Sequence, residues 1–122
     1  MSIKIRSRKN KGKKLQNYIC QRLSDITGIP WGKDELIRSQ LMGQGGTDVD
    51  LIGRAAELLP YAIECKNQES WSIHQWIDQA TSNQKEGTDW LLFCKRNRKK
   101  PVVVMDAEGF FKLLEDRIKN EQ

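Results

Sequence analysis

The chain has 122 residues, 38% apolar and 30% charged, which suits one soluble globular domain over 1–122 with room for a buried core. No apolar run is long enough to span a bilayer and none follows the basic N-terminus, so neither a membrane segment nor a secretory signal is expected, and a cytoplasmic location is. The net charge of +5 is unevenly spread: Lys4, Arg6, Arg8, Lys9, Lys11, Lys13 and Lys14 lie within residues 1–14 without one acid. Such an arm can displace counterions from a nucleic-acid backbone, or it can be a solvated tail without a partner. Cys20, Cys65 and Cys94 are odd in number and widely spaced. They read as small buried hydrophobes in a reducing compartment, not as a disulfide framework or a zinc site.

Leu15, Tyr18, Ile19, Leu23 and Ile26 form one stripe and predict a helix over 9–27, stopped by Gly28 and Pro30. A loop at 31–35 and a weak strand at 36–41 follow, then a glycine-rich turn at 43–47. Residues 48–53 and 60–66 each alternate with period two. In the second run Tyr61, Ile63 and Cys65 share one face, and Ala62, Glu64 and Lys66 the other. That pattern predicts two neighbouring strands, one face packed on a helix and the other lining a cleft. A helix over 72–85 carries Ile73, Trp76, Ile77 and Ala80 on its apolar stripe, with Ser72 and Gln75 as a capping box and Gly87 as its stop. Short apolar strands at 90–94 and 102–105 flank a basic turn at 95–100. Asp106 caps a last helix bearing Phe110, Leu113, Leu114 and Ile118. The order α-β-β-β-α-β-β-α implies an α/β domain with a mixed central sheet flanked by helices.

The charged face of the two strands is where chemistry can occur. Glu64 and Lys66 project from the same side, and Asp48 lies sixteen residues earlier on the neighbouring strand. Two carboxylates held close are costly unless a cation sits between them, and carboxylate oxygens suit Mg²⁺. An ion there could activate water and neutralise charge on a phosphoryl transition state, with Lys66 orienting the water or stabilising that charge. The Cys65 carbonyl is a further donor, and Asp50 could bind a second ion or tune the first. The bland reading is a surface ladder of weak salt bridges.

The runs RSQLMGQGGTDVDL and PYAIECKNQESWSIHQW, the later DQA, and the opening SRKNKGKKLQ together resemble phage-type nucleases of the PD-(D/E)XK superfamily, which includes Holliday junction resolvases. The resemblance implies a restriction-endonuclease-like core and Mg²⁺- or Mn²⁺-dependent cutting of DNA phosphodiesters. It maps the family's acidic position onto Asp48 and its ExK onto Glu64-Cys65-Lys66. Where many members carry a helix-borne glutamate ligand, this chain has Gln16, a neutral and weaker one. Arg38 and Ser39 resemble positions near the scissile phosphate, with a strand-edge role as the alternative. Gln79 either faces the cleft or is a solvated helix position. His74 reads as structural; Trp71, Trp76 and Trp90 read as core or interface, and Trp31 as a base-stacking platform only if exposed beside the cleft.

The resulting expectation is a structure-selective endonuclease, a four-way-junction resolvase foremost, working as a homodimer in the host cytoplasm if phage-encoded. Arg6, Arg8, Lys9, Lys11, Lys13, Lys14 and Arg38 would contact DNA. The alternatives are an exonuclease or nicking enzyme with the same site, and a basic DNA-binding protein without catalysis.

Overall fold

The computed structural model describes residues 3–40 and 46–122, with side chains in the first helix from residue 10 onward. Its elements run α1 (Ile3–Thr27), β1 (Ile37–Ser39), β2 (Val49–Leu51), α2 (Arg54–Leu58), β3 (Tyr61–Asn67), α3 (Ile73–Asn83), β4 (Asp89–Lys95), β5 (Val102–Met105) and α4 (Ala107–Glu121). The basic segment at 1–14 is not a separate arm: from Ile3 onward it forms the first turns of α1. The helix ends where expected, because Gly28 takes a positive φ of 76° and donates its N–H to the Ser24 carbonyl at 2.8 Å.

The strands form one mixed sheet in the order β1-β2-β3-β4-β5. β1, β2 and β3 pair antiparallel, β3 and β4 pair parallel, and β5 closes the far edge antiparallel to β4. Parallel neighbours need a crossover, and α3 supplies it. The two faces of β3 are divided as the alternation requires. Ile63 and Cys65 pack with Leu15, Ile19 and Cys20 of α1 and with Ile37, Val49 and Ala55. Leu92 and Cys94 of β4 pack under Trp76 of α3 on the opposite face. This is the restriction-endonuclease-like α/β arrangement expected from the sequence.

Three local expectations need correction. The 54–58 connection is a short helix, α2, whose Ala55 is buried; RAAEL is too short to show a helical period. Ser72 is the N-cap of α3 but makes no side-chain capping bond, so the Ser72–Gln75 box does not form. The apolar stripe of α4 is not core. Asp106 does cap the helix, accepting from the Gly109 N–H at 3.2 Å, and Gly109 sits against Met105 and Asp89. Beyond that turn Phe110, Phe111, Leu113, Leu114 and Ile118 are each between 40% and 58% exposed. Among the described residues, no helix is long and apolar enough to cross a membrane.

Candidate active site

β2 meets β3 at a single position, Val49 opposite Ile63. Asp48 stands where they part: its N–H donates to the Ile63 carbonyl of β3 at 2.9 Å, while its carbonyl accepts from the Gln40 N–H at 2.9 Å. A residue inside a regular strand turns both groups toward one neighbour, so Asp48 lies outside the ladder. Farther along β3, the Cys65 N–H donates to Asp48 Oδ2 at 2.8 Å instead of to a partner backbone. The Cys65 carbonyl lies on the same edge of the strand as its N–H. It therefore opens into the gap that holds the Asp48 carboxylate.

Glu64, one residue before Cys65 on β3, is only 1% exposed, not on an open cleft wall as expected. α3 covers it, and Asn83 at the end of that helix donates Nδ2 to Glu64 Oε1 at 2.7 Å. The same amide donates to the Gly46 carbonyl at 3.2 Å, tying α3 to the segment entering β2. Burial pushes the Glu64 carboxyl up to about 7. The Asn83 hydrogen bond and the Lys66 charge oppose that rise; the Asp48 charge and a hydrogen bond between the two carboxyls add to it. Asp48 and Glu64 are thus near enough to feel each other's charge.

Lys66 is half-buried on the α3 side, its Nζ 5.9 Å from the centre of the Trp76 ring. Trp76 is core, as the sequence implied. Burial raises the thiol of Cys65 well above the ordinary range, with the Asp48 charge adding to it. Burial likewise pushes Cys20 and Cys94 up to about 11. These sulfurs stay protonated and are poor ligands and nucleophiles, so the donor at position 65 is its carbonyl.

The other expected site residues make further contacts of their own. Asp50 accepts from Thr47 Oγ1 at 3.1 Å and from the Gln40 side-chain amide. Gln16 is buried on α1 and accepts from Ser39 Oγ at 3.0 Å. Ser39 pairs with Val49, whose side chain belongs to the core beneath α1. Arg38 donates Nε to the Glu35 carbonyl at 2.6 Å. Lys13 donates Nζ to the Ser39 and Gln40 carbonyls at 3.3 and 2.9 Å, holding the end of β1. Gln79 and His74 are exposed on α3, and Trp31 makes a bridge to Ile37 and donates Nε1 to Gln21. The side chains of Arg6, Arg8 and Lys9, and most of the turn at 43–47, lie outside the described residues. Asn83 was not foreseen; its only signal is a polar residue closing the apolar face of α3 one turn after Ala80.

Among the described residues, no cluster of three or more His, Cys, Asp or Glu side chains converges on a point. The donors present are two carboxylates and a carbonyl. That set suits Mg²⁺ or Mn²⁺, which take oxygen ligands and keep several waters, and not an all-protein cage. Asp48 adds to the rise in the Glu64 carboxyl, and a cation between the two would relieve that repulsion.

A family model described as "Phage putative PDDEXK endonuclease" matches residues 7–121. The chain belongs to this family. No curated protein and no solved structure matches it. For this PDDEXK nuclease, the match reaches from the basic turns of α1 to the end of α4. The match thus spans all five strands and, from residue 7 of α1 onward, the four helices of the described residues.

Proposed function

We propose that this chain cuts branched DNA, four-way junctions foremost, by divalent-ion-assisted phosphodiester hydrolysis. The observation that carries the reading is the meeting of Asp48, Glu64 and the edge of Cys65 where β2 leaves β3. In this reading Glu64-Cys65-Lys66 is the ExK of the family's pattern and Asp48 its preceding acid. Asp48, Glu64 and the Cys65 carbonyl hold Mg²⁺ or Mn²⁺. When bound, the ion supplies Lewis acidity to a water and to the phosphate. Its charge would favour the ionised form of the Glu64 carboxyl. Asn83 fixes one Glu64 oxygen and leaves the other free to turn toward the gap. Lys66, steadied by the Trp76 ring, holds the attacking water or the phosphate oxygen that gains charge.

Charge polarity supports DNA as the substrate. Strand directions gather the ends of β1, β3 and β4 and the starts of β2 and β5 at one end of the sheet. That end carries Lys66 and the basic turn from Lys95 to Lys100, and Asn67 there donates to the Lys11 carbonyl of α1. No element resembles a reader of base edges, so recognition is by DNA shape and phosphate position.

The reading includes a two-fold dimer, since paired symmetric cuts need two sites. Its support is the exposed apolar flank of α4 with Val102 and Val103 on the edge strand.

The test incubates the pure protein with a four-way junction, a linear duplex and single-stranded DNA, in Mg²⁺ or EDTA. Paired nicks on the junction alone, lost in EDTA and in Lys66→Ala, are expected. Cutting of every substrate would reduce the reading to a general nuclease. Binding without cutting in any metal would overturn it.

A further inference from the structure

A cavity of about 620 Å³ opens on the α1 side of the same sheet end. Lys11, Lys14 and Tyr18 of α1 form one wall, Asn67 of β3 and Lys95 of β4 the floor, and Arg98 of the β4–β5 turn the rim. No acid is among its lining residues. Tyr18 falls on the helical stripe that buries Leu15 and Ile19, yet it is 49% exposed at this opening. Arg98 holds a left-handed φ of 61°, a conformation costly for a side chain of its kind. The Asn67 amide spends Nδ2 on the Lys11 carbonyl at 3.1 Å, and its buried Oδ1 has no partner.

From these features we infer that the cavity holds an unpaired nucleotide of the DNA strand being cut. The volume lies in the range of a small-ligand site and leaves room for a base and its sugar. Four cations without an acid suit a phosphate backbone, and a half-exposed aromatic ring beside them suits a base face. Position adds a distance. Asn67 is three residues beyond Glu64, about 10 Å along β3. The strand would pass from the carboxylates on one face of β3 round the end of the sheet to the cavity on the other.

This inference rests on the nuclease reading for its substrate, but its test needs no cutting. Fluorescence anisotropy in EDTA measures binding of three labelled duplexes: blunt, with a three-nucleotide single-stranded tail, and with a tail of three abasic residues. The expected result is about tenfold tighter binding of the base-bearing tail than of the blunt end, with the abasic tail close to the blunt one. Tyr18→Ala should bring the ratio of tailed to blunt affinity to about one, and Tyr18→Phe should keep it. Circular dichroism establishes that both variants are folded. Equal wild-type affinity for tailed and blunt duplexes overturns the inference, as does an abasic tail that binds as well as a base-bearing one. A tail preference in a protein that cuts nothing would leave the pocket standing while the nuclease reading fell.

Discussion

The two flanks of the sheet are built to different ends. On the β1–β3 side, α1 and the short α2 close over Ile37, Val49 and Ile63, and the core there is continuous. On the β5 side, α4 touches the sheet through its first turn and then shows its apolar stripe to solvent. The catalytic carboxylates proposed here belong to the closed flank. A metal site needs its ligands held to within a fraction of an ångström, and close packing around β3 is what holds Glu64 and Cys65. The open flank has no such duty, and in the proposed reading its apolar surface is where a second copy docks.

Substitutions can break or sharpen that contrast. The largest effect should come from Asp48→Asn, which keeps the shape but removes the charge beside the Cys65 edge. Cleavage should fall about a thousandfold, the scale of losing a transition-state charge stabiliser, with DNA affinity in EDTA little changed. Nearly as large in energy is the packing beneath the site: Ile63→Ala should cost about 2–5 kcal/mol in chemical denaturation. Asn83→Ala should be milder, lowering metal affinity or rate about 10–100-fold, because it releases a Glu64 oxygen without removing the ligand.

Smaller again is a pH effect. The Glu64 carboxyl is raised in the fold to about 7, so its contribution to stability is complete below its ordinary value and is lost as pH rises through about 7. Above that pH the ionised carboxylate favours a cation. Mn²⁺ should therefore raise the melting temperature at pH 8 and much less at pH 5.5, read by thermal denaturation. On the open flank, Ile118→Ala should shift the stability of the single chain by no more than about 0.5 kcal/mol, because Ile118 is 58% exposed and has the least burial to lose along the stripe. A loss comparable with that of Ile63→Ala would mean that α4 is already covered in the free protein.

Much of this was legible in the sequence. Period-two alternation located β2 and β3, and the PYAIECK run fixed which residues share a face. The capped last helix was legible too, because Asp106 bonds within its own turn. What escaped depends on contacts distant in the chain. Glu64 looked like a cleft residue because alternation reports which side a residue faces, not what covers that side. Asn83 matters only through Glu64, nineteen residues away. Asp50 shares its acidity with Asp48 but is occupied by Thr47 and Gln40, a local competition that spacing does not reveal. The α4 stripe had the period of a core helix, and periodicity cannot tell a partner within the chain from one outside it.

The central claim is that Asp48 and Glu64 bind one divalent ion together beside the Cys65 carbonyl. Calorimetric titration of Mn²⁺ at pH 8, without DNA, tests it most directly. The wild type should bind an ion that both Asp48→Asn and Glu64→Gln lose, each variant remaining folded. The same stoichiometry and affinity in all three proteins would contradict a shared site.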